Sequence, residues 1–94
     1  MALDRDAYVL AVSLLRKEGS VEERTYAPDR GPAYLRATLD VRAPHDEAPA
    51  AAARLARIAT ATRGYLTMVV HDDCVDLSVA VSMDLPAAPA QEAA

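Results

Sequence analysis

The sequence is poor in aromatic residues and in cysteine: it has no Trp, no Phe, four Tyr and one Cys in 94 residues. Without large aromatic rings, the core must be filled by Val, Leu, Ile and Ala. A chain of this size buries only about 60–70% of the surface that it exposes when unfolded. A single Cys excludes a disulfide within the chain, so we expect a protein of a reducing compartment, the cytoplasm.

Long hydrophobic runs and an excess of positive charge are also missing. The longest apolar run, AYVLAVSLL at 7–15, is shorter than the ~20 residues that span a bilayer, and no signal-peptide cleavage pattern follows it. The net charge of −4 argues against a nucleic-acid binder, which needs a basic face. Nine Arg against one Lys, with abundant Ala, is typical of GC-rich coding and indicates a bacterial source. We therefore expect neither nucleic acid nor membrane among the partners.

The run at 7–15 fits a helix or a strand by periodicity alone, but its flanks favour a helix over residues 5–18. Asp4 or Asp6 can cap the free amides at its start, and cationic residues occupy its last turn. Gly19 suits the position just after its end. Since the run is apolar on nearly every side, we expect this helix to contact more than one neighbour.

A second helix is predicted over residues 49–62. A proline suits its first turn, alanines lower the entropy cost through its middle, and Gly64 ends it. The stripe that shares one face, Ala51, Leu55, Ile58 and Thr62, is thin. We therefore expect this helix to lie close to the sheet on small residues.

Alternating apolar and polar residues predict a first hairpin. Residues 35–42 alternate strongly, and the more charged residues 21–27 precede them, as suits an edge strand. The segment PDRG at 28–31 has the composition of the turn between them.

A second hairpin is predicted from residues 66–83, with Asp72-Asp73 as its loop. In that register Val70 opposes Val75 and each apolar residue meets another on the same face; a slip by one residue would send one apolar set to solvent. A two-residue loop of this kind favours positive φ, which two aspartates adopt with some strain.

The element order is therefore α-β-β-α-β-β, and the fold class is α+β. We expect one domain over residues 1–85, a four-stranded, mostly antiparallel sheet with both helices on one face, and a disordered Pro/Ala-rich tail at 86–94. This order is similar to small chaperone-like folds of bacterial secretion systems, although no sequence motif accompanies the similarity.

Two acidic segments with histidine are candidates for chemistry, His45-Asp46-Glu47 and His71-Asp72-Asp73-Cys74. If a helix crossover joins the preceding strands in one sheet, the strands run parallel and both segments share one rim. Imidazoles and carboxylates bind Zn²⁺ or Mn²⁺, so a divalent metal is the one cofactor to consider there. The candidate ligands are His45, Asp46, His71, Asp72 and Asp73. Acidic residues are also common at helix starts and turns for purely structural reasons.

Cys74 is a candidate nucleophile because the hairpin register places it opposite His71, with roughly 5 Å between Cβ atoms. An imidazolium there would stabilise a thiolate. The neighbouring carboxylates of Asp72, Asp73 and Asp76 act in the opposite direction and raise the thiol pKa. No donor for an oxyanion can be identified. The pattern therefore favours a structural turn over an active site.

The uncovered face of the sheet is the third candidate site. Tyr and Arg, the residue types enriched at protein interfaces, alternate onto it. The predicted interface residues are Arg24, Tyr26, Tyr34, Arg36, Arg42 and Tyr65. The simpler alternative is an ordinary solvated face.

The leading expectation is a small acidic interaction module without catalysis, an adaptor, chaperone-like or regulatory protein that forms a homodimer through this face. One alternative is a small metal- or thiol-dependent enzyme that uses the rim. Another is a sensor that binds a small ligand between sheet and helices. The sequence has no Gly-rich phosphate loop, no paired CxxC and no Ser-His-Asp pattern, which favours the first expectation.

Overall fold

A computed structural model describes residues 2–86. The predicted tail, 86–94, lies outside the described residues apart from Pro86. The element order is the predicted one, α-β-β-α-β-β, which confirms the α+β class. The elements are α1 (Arg5–Arg16), β1 (Val21–Tyr26), β2 (Tyr34–Ala43), α2 (Ala48–Thr62), β3 (Tyr65–Val70) and β4 (Val75–Asp84).

The four strands form one open sheet in the order β1-β2-β4-β3, and each neighbouring pair is antiparallel. Since β2 and β3 are both antiparallel to β4, they run parallel to each other with β4 between them. The crossover through α2 is therefore as predicted, but its two strands are not neighbours. The two edges of the sheet are β1, which carries Glu22, Glu23 and Arg24, and β3, which carries no charged residue.

The β3–β4 hairpin has the predicted register, with Val70 opposite Val75 and Met68 opposite Leu77. The His71 amide closes it by donating to the Cys74 carbonyl at 2.8 Å. The predicted strain in the loop is wrong, because Arg63 is the one non-glycine residue with positive φ in residues 2–86. The loop thus avoids the left-handed conformations of the commonest two-residue hairpin turns.

Helix α1 begins where its cap predicts and ends earlier than predicted. The Asp4 side chain accepts a hydrogen bond from the Ala7 amide at 2.8 Å, which satisfies one of the free amides of the first turn. The helix ends at Arg16 on a right-handed cap, Lys17. Gly19 does not take the left-handed conformation that was expected after the helix.

Helix α2 rests on small residues, as predicted, with Leu55 as the large buried side chain among Ala48, Ala51, Ala59 and Thr62. The left-handed cap is Arg63, with φ 57°, rather than the glycine that follows it. Gly64 serves close approach instead: a Cβ there would lie 2.8 Å from the Ala80 carbonyl oxygen. The end of α2 can therefore approach the central strand closely.

Both helices cover one face of the sheet, as predicted, and the core lies between them and β2 and β4. Its fully buried large side chains come from both helices and from β2 and β4: Leu15, Leu39, Leu55, Leu77 and Val79. Within residues 2–86, the helices are all too short or too polar to cross a membrane.

Candidate functional site

The two histidine segments meet at one end of the sheet. Because β2 and β3 are parallel, the residues that follow them emerge at the same rim. His45 Nε2 lies 2.8 Å from the carbonyl oxygen of His71 and 3.2 Å from that of Asp72. The rim expected from the sequence therefore exists as a contact between the β2–α2 connection and the β3–β4 turn.

Each imidazole of the rim already uses one nitrogen. Both partners of His45 Nε2 are carbonyl oxygens, so this nitrogen carries the proton and donates. His71 Nε2 lies 2.8 Å from Asp76 Oδ2 and donates to that carboxylate. Nε2 of His45 and Nε2 of His71 are therefore both engaged in hydrogen bonds within the protein. Only Nδ1 of each ring is left for another ligand.

On the open face, Asp76 of β4 links Arg42 of β2 to His71, which follows β3. Its Oδ1 accepts a hydrogen bond from Arg42 Nε on β2 at 2.9 Å, and its Oδ2 accepts the bond from His71. The hydrogen bond from Arg42, and then that from His71, hold the pKa of Asp76 below its ordinary value. From the sequence, Asp76 is expected near the thiol, and its role as a partner of Arg42 and His71 is not predicted. The register that opposes Arg42 to Asp76 was the signal that could have found it.

Cys74 is a protonated thiol rather than an activated nucleophile. Partial burial, followed by the hydrogen bond to Asp73 and the charge of that carboxylate, raises its pKa above the ordinary value. Arg42 acts in the opposite direction and is outweighed. A thiol with a raised pKa carries little thiolate at neutral pH, so the rim lacks the first requirement of thiol catalysis.

The remaining candidate ligands of the rim do not converge. Asp46 is exposed in the turn that precedes α2, and Asp72 and Asp73 are exposed in the hairpin loop. Across residues 2–86, no group of three or more His, Cys, Asp or Glu side chains is arranged to hold a metal ion. A metal at the rim stays a prediction, and no arrangement in this part of the chain supports it.

The predicted interface residues lie together on the sheet face that the helices leave uncovered. Direct pairing across strands places Arg24 beside Arg36 and Tyr26 beside Tyr34, while Tyr65 lies beside Ala80. The rings of Tyr26 and Tyr34 stack, with centroids 5.1 Å apart and planes 16° from parallel. Since stacked rings lose little entropy on binding, they form a rigid aromatic patch at one end of this face.

Charges of both signs follow one another along β2 on the same face. Its residues there are Tyr34, Arg36, Thr38, Asp40 and Arg42. Asp40 accepts a hydrogen bond from the Ser78 hydroxyl, and Arg42 pairs with Asp76. Arg36 forms no ion pair with any residue in the described part of the chain. On the neighbouring strand β1, the residue opposite Arg36 is another cation, Arg24. Arg24 itself pairs with Glu22 at 2.9 Å.

The space between sheet and helices, where a sensor would hold its ligand, is occupied by the aliphatic core. The two grooves that involve the start of α1 share Ala2, Leu3 and Asp4, and both open to solvent. One of them is lined by several polar side chains, among them Asp4, Arg5 and Glu23, but Glu23 already accepts hydrogen bonds from Tyr8 and Arg16.

Comparison with protein-family models, curated proteins and solved structures gives no match for this chain.

Proposed function

We propose that this chain is a small interaction module without catalysis, an adaptor, chaperone-like or regulatory protein, which forms a homodimer through the open face of its sheet. The observation that carries the proposal is the order of residues along β2. That order is complementary to itself when two copies pack face to face.

The complementarity follows from a two-fold axis that lies midway between two facing sheets, parallel to both and perpendicular to the strands, above Thr38. Such an axis reverses the direction of β2 in the second copy. Arg36 then lies over Asp40 of the partner, and Tyr34 lies over Arg42 of the partner, with each contact made twice. An interface related by a two-fold axis requires a patch that is complementary to itself in this way.

The chemistry of these contacts suits association. A free guanidinium opposite a carboxylate forms an ion pair that fixes the register of the two sheets. An aromatic ring beneath a guanidinium adds a cation–π contact. Thr38 and Ala80, which lie side by side at the centre, are small enough to let two sheets approach to the usual ~10 Å.

The alternatives receive less support. The thiol of Cys74 has a raised pKa, and Nε2 of each imidazole at the rim is engaged in a hydrogen bond. A single cysteine that is kept as a thiol also suits the cytoplasm, where we place the protein.

Charge reversal followed by charge exchange tests the proposal. Arg36→Glu should weaken the face-to-face contact at least about tenfold, because two carboxylates then meet at each of two positions. Asp40→Arg should weaken it for the mirrored reason. The double variant with both changes should restore association, since each pair is again of opposite sign. Sedimentation equilibrium measures all three.

Arg57→Glu is the matched control, because Arg57 is an exposed arginine on α2, on the other side of the sheet. It should leave association unchanged. Failure of the double variant to recover association, or an equal effect of the control, would remove the open face as the interface.

A further inference from the structure

The edge strand β3 exposes apolar side chains that its position in the sheet does not require. Tyr65, Met68, Val69 and Val70 are all at least half exposed, with Met68 at 56% and Tyr65 at 68%. The strand has no charge, no proline and no glycine over its six residues. Natural sheets usually block a bare edge of this kind, because it pairs readily with another strand. The opposite edge, β1, is blocked by its charged residues.

The backbone groups that β3 offers can be identified from the hairpin. The His71 amide donates inward to Cys74 at 2.8 Å. In an antiparallel ladder the inward positions alternate, so Val69, Thr67 and Tyr65 also face β4. The amides and carbonyls of the residues between them, Leu66, Met68 and Val70, therefore point away from the sheet.

We infer that β3 pairs antiparallel with β3 of a second copy, about a two-fold axis perpendicular to the sheet at Met68. Met68 then opposes Met68, and Leu66 opposes Val70. Each outward amide and carbonyl of these three residues then forms a hydrogen bond with β3 of the second copy. On the helix side of the sheet the side chains that meet are all apolar, and there α2 leaves Met68 and Val70 uncovered.

Charge complementarity favours this register and this occupant. Beyond the two ends of the strand, Arg63 comes level with Asp73 of the partner, and the symmetry repeats the pair at the other end. A two-fold axis at Thr67 would instead bring Arg63 level with His71. It would also need the Gly64 amide, which already donates to the Ala59 carbonyl at 2.8 Å. Registers shifted by an odd number of residues would place the apolar side chains on opposite faces.

The pairing is independent of the open face and joins the two sheets into one continuous sheet. Both helical layers then lie on one side of it, and both open faces lie on the other. The face that carries Tyr26, Tyr34 and Arg36 is not buried by the pairing, so edge and face can be tested separately.

Native mass spectrometry of variants separates the two interfaces. Met68→Lys places two ammonium groups on the edge axis and should weaken edge pairing at least about tenfold. Val9→Lys is the matched control, because Val9 is an apolar residue of similar exposure, 59%, on α1. If only the edge pairs, the wild type is a dimer, Met68→Lys is a monomer and Arg36→Glu remains a dimer.

The other possible outcomes also give distinct oligomer masses for the wild type and the variants. If both interfaces operate, the wild type is a tetramer or larger, each single variant is a dimer, and the double variant is a monomer. A dimer that Met68→Lys leaves intact and Arg36→Glu dissociates would overturn the edge pairing and keep the open face.

Amide exchange followed by NMR tests the register directly. The amides of Leu66, Met68 and Val70 should exchange slowly in the associated protein and quickly in Met68→Lys. Those of Thr67 and Val69 should be protected in both, since they bond to β4. Fast exchange of the outward amides at high concentration would overturn the proposal, as would protection in a monomer that carries a co-purified peptide.

Discussion

Replacing Leu55 by alanine tests how α2 is held on the sheet. Leu55 is 0% exposed, and the other buried residues of α2 are four small ones, Ala48, Ala51, Ala59 and Thr62. The alanines have no side chain that can shift to fill a void. We therefore expect part of the space left by the substitution to remain open, so that the loss of stability includes a cavity term as well as the lost burial.

The expected loss of unfolding free energy is about 3 kcal/mol, within the range of roughly 2.7–5 kcal/mol for buried Leu→Ala changes. For a domain of this size, that corresponds to a fall in Tm of roughly 12–24 °C. Because small domains have only about 5–15 kcal/mol in total, the variant should fold but with a small margin.

Urea unfolding followed by circular dichroism measures the change, at one protein concentration so that association does not contribute. Leu10→Ala is the matched control, since Leu10 lies on α1 and is 62% exposed. It should cost less than about 0.5 kcal/mol. A cost below about 1 kcal/mol for Leu55→Ala, or equal costs for both, would refute the packing of α2 described above.

Three further predictions concern ionisable groups. Burial, then the 2.9 Å hydrogen bond to Glu23, raises the pKa of Tyr8. The wild type should therefore lose stability as pH rises above the ordinary tyrosine pKa of ~10. Thermal melts of Tyr8→Phe should lack that loss. Asp73→Asn should lower the pKa of Cys74 and speed its alkylation by iodoacetamide at pH 8; an unchanged rate would contradict the assigned cause. The lowered pKa of Asp76 adds stability above the ordinary aspartate pKa that is lost as pH falls, so Asp76→Asn should have a lower Tm than the wild type at pH 7, and this difference should shrink as pH falls below the ordinary aspartate pKa of ~3.9.

The strands and their register were predictable because side chains alternate between two faces, and only one pairing buries both apolar sets. Val70 opposite Val75 is the clearest instance. Strand order was not predictable in the same way. Alternation does not say whether β2 pairs with β3 or with β4. In the structure β2 pairs with β4, whose apolar residues from Val75 to Val81 are buried.

The exposed part of β3 could not be predicted from alternation. Leu66, Met68 and Val70 form one apolar series, yet Met68 and Val70 are exposed while Leu66 is partly buried. The difference depends on where α2 lies over the sheet, and the thin stripe of that helix does not specify its position. Similarly, the left-handed cap falls on Arg63 because the following glycine is needed where α2 meets the Ala80 carbonyl.

At the rim, the pairing of segments was predictable and their chemistry was not. The crossover topology brought His45 to the turn that follows β3. The direction in which each imidazole points depends on the carbonyls of His71 and Asp72 and on Asp76, and the positions of the two histidines in the sequence do not specify these partners.

The charges on β1 limit how far such a sheet can grow. When β3 pairs with β3, both bare edges are consumed together, and the outer boundaries of the joined sheet are two β1 strands. A further chain that docked there would have to strip water from Glu22, Glu23 and Arg24, which make up half of a six-residue strand. Extension of the sheet by edge pairing therefore stops at two copies. A neutral β1 would leave a bare edge at each side of the molecule, and the same backbone would be the repeating unit of a fibre.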